Sequence, residues 1–209
     1  MKVAVVCGSH ELYLDEKALA GQFIIGVDRG AFHLLKRGIS PDLAIGDFDS
    51  VTPEEYDAVS QATRELIHLP CEKDETDTEA ALNLALQRGA SEVTLYGALG
   101  GRIDHTLANI RLLLQFVKKG LYVQLVGEKN RLTVLSKGEH HLEATAFKYL
   151  SFFALESTVT HLTLKNVKYP LVNYTLAQDD IRCISNETLG ADYQVKFESG
   201  YLLMISSCD

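Results

Sequence analysis

The sequence lacks the features that mark several common protein classes. Its 209 residues include no tryptophan and only four cysteines, which are far apart and form no C-x-x-C pair. This spacing argues against a zinc site and against a disulfide framework. The cysteines are Cys7, Cys71, Cys183 and Cys208.

Positive charge is also scarce. The formal net charge is −8, and no run of Lys and Arg could supply the basic footprint of a general nucleic-acid binder. An acidic protein still binds anionic nucleotides when metal ions lie between its carboxylates and the phosphates. We therefore expect no nucleic-acid partner, while a nucleotide remains a candidate ligand.

Long apolar runs are missing as well. No apolar stretch approaches the roughly 20 residues that span a bilayer. A strand-like run at residues 2–7 follows directly on the first residue. This pattern predicts no membrane association, no signal peptide and a cytoplasmic location.

The first part of the chain alternates short apolar runs with helix-like segments. Two capping boxes, T-P-E-E at 52–55 and T-D-T-E at 76–79, predict helix starts. The alternation predicts a Rossmann-like, mostly parallel α/β/α domain over residues 1–126. Strands are predicted at 3–7, 23–27, 43–45, 67–69, 93–96 and 122–126, and helices at 12–20, 30–36, from 53, 77–88 and 102–119.

The pattern changes after about residue 121, where strand signals dominate and helix signals are weak. Apolar residues alternate with polar ones, and turn residues separate the runs, as in the E-S-G sequence at 198–200. This alternating pattern predicts an antiparallel β-sandwich domain over residues 127–209. Its strands are predicted at 132–135, 149–154, 159–164, 192–197 and 201–205.

Aspartates fall where the strands of the first domain end or where the next helix begins. These are Asp28, Asp47, Asp49, Asp77 and Asp104. Because the carboxyl ends of parallel strands share one edge of a sheet, acids from four segments are expected to converge in one crevice. Carboxylates this close repel one another unless a cation bridges them, so Mg²⁺ is the expected occupant.

Two segments of the same domain carry groups suited to phosphate. The glycine-rich loop at 97–101 precedes a helix, where backbone N–H groups attract anions. Arg102 adds a fork of donors, and Lys73 lies just ahead of the helix that begins near Asp77.

Each of these segments also has a purely structural explanation. The Asp47–Asp49 pair fits a polar turn, residues 76–79 fit a capping box, and Asp104 fits an N-cap.

Five stretches together resemble thiamine pyrophosphokinases of the bacterial type. They occur in the family's order and span residues 26–187, which makes the resemblance specific. The stretches are GVDRGA at 26–31, PDLAIGDFDS at 41–50, KDETD at 73–77, GALGGRIDHTLAN at 97–109 and ISNE at 184–187.

The resemblance implies an α/β domain followed by a β-sandwich, in a homodimer that binds ATP, thiamine and Mg²⁺. The implied reaction moves the terminal pyrophosphate of ATP onto the hydroxyethyl group of thiamine and releases AMP. Thiamine would lie between the β-domain of one subunit and the α/β domain of the other. The implied catalytic residues are Asp47, Asp49, Asp77, Asp104, Lys73 and Arg102, of which Asp47, Asp49 and Asp77 hold the metal. The implied ATP site comprises Asp28, Arg29, Gly30, Lys73, Gly100, Gly101 and Arg102, and the thiamine site Ser185, Asn186 and Asp104.

The chain departs from the family pattern at two points. Arg29 stands where the family often has Gly, which leaves its role open. Animal members use a Trp near thiamine and this chain has none, so any stacking must come from a Tyr or Phe. Two alternatives remain: a pyrophosphokinase of this architecture for a hydroxymethylpterin, and a non-catalytic sensor of nucleotide or thiamine.

Overall fold

The computed structural model describes residues 1–9 and 12–209, which form two compact units, Met1–Glu128 and Lys129–Asp209. The first unit holds six parallel strands in the order β6-β5-β1-β2-β3-β4. The predicted domain boundary lies two residues before this division. The strands are β1 Lys2–Val6, β2 Phe23–Val27, β3 Leu43–Gly46, β4 Glu65–His68, β5 Glu92–Tyr96 and β6 Tyr122–Val126.

The central strand β1 is covered on both faces. Its consecutive residues Val3, Ala4, Val5 and Val6 are all fully buried, although neighbouring side chains on a strand point to opposite faces. Such a continuous apolar run is typical of a parallel sheet that helices cover on both faces. The helices are α1 Arg29–Leu35, α2 Pro53–Ala62, α3 Asp77–Gln87 and α4 Ile103–Lys118.

The predicted helix starts are confirmed, with one difference in their caps. Thr52 and Glu55 form the complete capping box of α2. At α3 the Thr76 hydroxyl accepts a hydrogen bond from the Glu79 N–H, but the Glu79 carboxylate accepts one from Gln115 of α4. Glu79 therefore links two helices.

The predicted helix over residues 12–20 is wrong. Only a 3₁₀ turn, Glu16–Leu19, forms in this stretch. Asp15 caps it through a hydrogen bond from the Ala18 N–H, and Gly21 has a φ of 75° that ends helical geometry. Leu12 and Leu14 instead pack against an apolar cluster of the first unit.

The second unit consists of antiparallel strands around an apolar core. Its long strand β12 pairs with β7, β8 and β9. The strands are β7 Asn130–Leu142, β8 Tyr149–Ala154, β9 Val159–Lys165, β10 Leu171–Leu176, β11 Asn186–Glu187 and β12 Tyr193–Ser207.

The predicted turn at 198–200 is wrong, because β12 runs through it as a single strand. Both halves of β12 pair with β7, and the register shifts between Phe197 and Tyr201. The stretch is therefore a β-bulge. Glycine at position 200 allows it, because the φ of this residue is 87°. Strands β10 and β11 were not predicted.

Among the described residues, the helices are too short or too polar to span a bilayer.

Candidate active site

A pocket of about 410 Å³ lies at the carboxyl edge of the parallel sheet. Its walls come from the segments after β1, β2 and β5 and from the start of α3. In this sheet β1 has β2 on one side and β5 on the other, so the strand order reverses here. Ligands of open α/β sheets bind in the crevice at such a switch point.

Three carboxylates from different segments meet beside this pocket. Asp28 follows β2, Asp47 follows β3 and Asp77 begins α3, and one ligand atom from each lies within 4.8 Å of the others. Asp28 and Asp77 also line the pocket. The predicted convergence of acids is therefore confirmed for these three residues.

The backbone conformation and hydrogen bonds of Asp28 fix the position of its carboxylate. Asp28 has a φ of 47°, its N–H donates to the Ile45 carbonyl, and its Oδ1 accepts a hydrogen bond of 3.2 Å from the Phe48 N–H. A Cβ at Gly46 would collide with Oδ1 of Asp28. Glycine at position 46 is therefore needed for the carboxylate to lie where it does.

Burial, together with the charges of Asp77, Asp47 and Asp49, raises the pKa of Asp28 to about 7, although the hydrogen bond from the Phe48 N–H lowers it. A carboxylate that is half-buried among other carboxylates is costly to ionise. A cation within the group would offset this cost.

The ammonium group of Lys73 places a positive charge beside these carboxylates. Its Nζ lies 2.9 Å from Oδ1 of Asp77 and 3.6 Å from Oδ2 of Asp47, and it donates to the Pro70 carbonyl. Burial lowers the pKa of Lys73, but the hydrogen bond and charge of Asp77, with Asp47 and Asp28, raise it overall. The ammonium therefore stays charged beside the three carboxylates.

The donor set fits Mg²⁺. Three carboxylate oxygens from separate segments are hard ligands, and Mg²⁺ is commonly held by one or two carboxylates together with substrate phosphates. Because Lys73 supplies only one positive charge, the group of three carboxylates keeps an excess of negative charge.

The predicted metal ligand Asp49 lies at the edge of this group. It is exposed, and its N–H donates to Oδ1 of Asp47. The charge of Asp47, followed by burial, raises the pKa of Asp49. Asp28 is the third carboxylate of the group, and the role of Asp49 as a metal ligand stays a prediction.

Asp104 is paired with Arg102 at the start of α4. Nη2 of Arg102 lies 2.6 Å from Oδ2 of Asp104, and both side chains are largely exposed. This hydrogen bond lowers the pKa of the Asp104 carboxyl. Arg102 lines the pocket together with Gly100 and Gly101, as expected for groups that approach phosphate.

Arg29 and Gly30 have structural tasks in the described chain. Nη2 of Arg29 lies 3.3 Å from both carboxylate oxygens of Glu55 on α2. A Cβ at Gly30 would collide with the Val6 carbonyl, so glycine lets α1 approach β1. Their contact with ATP stays a prediction.

Ser185 and Asn186 lie in the second unit. Ser185 is exposed with a φ of 57°, and its N–H donates to Ser151. Asn186 is buried, and its amide binds the backbone of Tyr169 twice, at 2.9 Å to the N–H and 2.8 Å to the carbonyl. Asn186 therefore fixes the chain at Tyr169, a role that the sequence does not reveal.

Several residues that line the pocket have no role predicted from the sequence. Cys7, Thr78 and Asn109 line the pocket, and Nδ2 of Asn109 donates 2.8 Å to the Ala98 carbonyl within the glycine loop. Asn109 belongs to the matching stretch at 97–109, so the motif itself was the available signal.

A parallel α/β sheet with carboxylates, a lysine and a glycine loop at its switch point defines an enzyme class that acts on phosphate groups. Comparison with known protein families leads to the same class. Residues 15–125 match the family described as thiamin pyrophosphokinase, catalytic domain, and residues 139–202 match thiamin pyrophosphokinase, vitamin B1 binding domain. The chain belongs to the thiamin pyrophosphokinase family.

Individual relatives support this membership. Thiamine pyrophosphokinase of Bacillus subtilis (strain 168) is 38% identical over 198 residues, which cover 94% of this chain and 91% of the relative. The crystal structure of the Bacillus subtilis thiamine pyrophosphokinase has a TM-score of 0.94 at 34% identity and covers 100% of both chains. Thiamin pyrophosphokinase from Geobacillus thermodenitrificans has a TM-score of 0.89 at 36% identity, covering 100% of this chain and 98% of that one. These matches confirm the predicted fold class and the predicted family.

Proposed function

We propose that this protein transfers the terminal pyrophosphate of ATP to the hydroxyethyl group of thiamine, giving thiamine diphosphate and AMP. The observation that carries the proposal is that both units match the thiamin pyrophosphokinase family, one as its catalytic domain and one as its vitamin B1 binding domain. The predicted enzyme class, thiamine diphosphokinase, is confirmed by this match.

The chemistry follows from where the charged groups lie. The thiamine hydroxyl oxygen bonds to the β-phosphorus in line, and the bond from that phosphorus to the bridging oxygen of AMP breaks. Lys73, beside Asp77, and Arg102 offer positive charge to the phosphate oxygens. Arg102 lines the pocket together with the Gly100–Gly101 backbone. Such transfers depend mainly on positioning and electrostatics, so a strong general base is not required.

Mg²⁺ is the proposed cofactor, held by Asp28, Asp47 and Asp77. When bound, it neutralises charge on the phosphate oxygens and orients them. The support is the chemistry of the three oxygen donors and the excess of negative charge around them.

The second unit is the proposed thiamine-binding part, through Ser185 and the neighbouring Tyr169. The Tyr169 side chain is 58% exposed, and the Asn186 amide fixes its backbone. An exposed aromatic ring on a fixed backbone suits stacking on a flat heteroaromatic cation. The net charge of −8 also favours a cationic substrate.

A homodimer and a cytoplasmic location complete the proposal. Large apolar side chains of the second unit are exposed, among them Val172, Ile181 and Leu189, and a second copy would bury such a surface. Cys7, Cys71, Cys183 and Cys208 are free thiols, which suits a reducing compartment.

The test is to incubate the purified protein with ATP, Mg²⁺ and thiamine and to resolve the nucleotide products. We expect AMP in step with thiamine diphosphate, and no reaction with EDTA. ADP with thiamine monophosphate would contradict pyrophosphoryl transfer. Turnover with a hydroxymethylpterin only, or binding without turnover, would favour one of the two alternatives.

A further inference from the structure

Phe48 lies between Asp47 and Asp49, yet it faces the opposite way. Its side chain is 6% exposed, whereas Asp47 is half-buried and Asp49 is exposed. The ring packs in an apolar cluster with Ala31 and Val59, away from the pocket. Nothing in the proposed chemistry uses this ring.

The backbone of Phe48 is in an unfavourable conformation. Its φ is 58°, in the left-handed region that a bulky residue rarely occupies. Such strain persists only where the surroundings over-determine it, and it concentrates at functional sites. Some contact of Phe48 must therefore hold the turn.

Aromatic contacts of the buried ring supply this hold. The Phe48 ring centroid lies 5.3 Å from that of Tyr56 on α2, in an edge-to-face arrangement, and 5.8 Å from that of His68 at the end of β4. The Tyr56 and His68 centroids lie 6.4 Å apart, so the three rings form one group. The ring is thus fixed from two separate elements.

The same turn sets the carboxylates. The Phe48 N–H donates to Oδ1 of Asp28 at 3.2 Å, and the Asp49 N–H donates to Oδ1 of Asp47 at 3.1 Å. A change in φ at residue 48 would rotate the Phe48 N–H and Asp47 relative to Asp49, so both hydrogen bonds could not be kept.

We propose that Phe48 is a positioning residue for the metal site, because its buried ring holds the left-handed turn that places the carboxylates of Asp28 and Asp47. The proposal rests on the proposed function insofar as these carboxylates hold Mg²⁺. The Phe48 ring does not line the pocket, so the residue acts on the site through the backbone.

The test measures Mg²⁺ binding without turnover. The Tm of the full-length protein is followed against Mg²⁺ concentration at a fixed concentration of α,β-methylene-ATP, which cannot be cleaved at the reacting bond. Phe48→Ala is expected to raise the Mg²⁺ concentration at the midpoint by roughly 10-fold or more, as for residues that orient metal ligands. In the activity assay kcat should fall while the KM for thiamine stays unchanged.

The matched control is Phe116→Ala, which removes the same ring at the C-terminal end of α4, where it is fully buried. This variant should lower the Tm of the metal-free protein and leave the Mg²⁺ midpoint unchanged. An equal midpoint shift in both variants would overturn the proposal, because general destabilisation would then explain it.

Phe48→Gly separates the ring from the backbone strain. Glycine accepts a positive φ without strain and therefore needs the ring less, so we expect its Mg²⁺ midpoint to lie between those of wild type and Phe48→Ala. A midpoint in Phe48→Gly above that of Phe48→Ala would contradict the role of the ring in holding the left-handed turn. If Phe48→Ala does not fold, Phe48→Leu decides: a raised midpoint supports the proposal and a wild-type midpoint contradicts it. Because thiamine is absent, this result does not depend on which substrate the enzyme uses.

Discussion

Asp28 shows how single residues in this site trade stability for function. It has a positive φ, is half-buried, and has a pKa raised to about 7 by burial and by the charges of its acidic neighbours. Each feature opposes folding of the metal-free chain. Together they keep an oxygen donor beside Asp47 and Asp77.

The raised pKa predicts how stability depends on pH in the metal-free protein. Because the folded-state pKa of Asp28 lies above the unfolded value, its favourable contribution is present below the unfolded pKa and is lost as pH rises through about 7. Asp28→Asn stays neutral and still offers an oxygen to the Phe48 N–H. In EDTA, the Tm of this variant should fall less than that of wild type between about pH 5 and about pH 8.

The control for this measurement is Asp57→Asn, which alters an exposed aspartate of α2. It should keep the wild-type dependence of Tm on pH. If Asp28→Asn also follows the wild-type curve, the Asp28 carboxyl does not titrate as described.

A comparison of two neighbouring aspartates tests which one is the ligand. Since Asp47 belongs to the three-carboxylate group and Asp49 lies exposed beside it, Asp47→Asn should lower kcat by about 100-fold or more. Asp49→Asn should lower kcat by a smaller factor. Initial rates at saturating ATP, thiamine and Mg²⁺ measure both. A larger loss of kcat in Asp49→Asn would favour Asp49 as the metal ligand.

At the scale of elements, the sequence predicted the parallel strands and the starts of α2 and α3, because buried apolar runs and capping residues are local signals. It failed at residues 12–20 and 198–200, where distant contacts decide. Leu12 and Leu14 pack on a core formed by other segments, and pairing with β7 keeps β12 continuous through its bulge. Local patterns do not contain those contacts.

The short strand β11 illustrates a site residue that acts through another element. Asn186 was predicted to contact thiamine, and its amide is bound to the backbone of Tyr169 at both positions. The pairing brings together residues 17 positions apart. Sequence spacing alone does not reveal it.

This arrangement predicts a selective effect on one substrate. Asn186→Ala removes both bonds to Tyr169 and should raise the KM for thiamine roughly tenfold, about the effect of one lost hydrogen bond, with a smaller change in the KM for ATP. Asn166→Ala, which loses an amide bond to the Asp192 carbonyl in the same unit, is the control and should leave both KM values unchanged. A larger change in the KM for ATP than in the KM for thiamine would contradict a thiamine site at Asn186.

At the scale of the whole molecule, the change in sequence texture near residue 121 predicted the order of the two units and the class of each. The α/β unit carries the carboxylates, the lysine and the glycine loop, and the β unit carries Ser185 and Asn186. The ion pair between Asp104 and Arg102 could not be predicted from the sequence, because each side chain was equally suited to bind a ligand. Family membership connects the two units to one reaction.

The central claim is pyrophosphoryl transfer at the three-carboxylate group, and ATP labelled at the β-phosphorus tests it most directly. With wild type, Mg²⁺ and thiamine, the label should appear in thiamine diphosphate and the released AMP should be unlabelled. Asp47→Asn should give almost no labelled product in the same time. Label recovered in ADP, or full transfer by Asp47→Asn, would contradict the account.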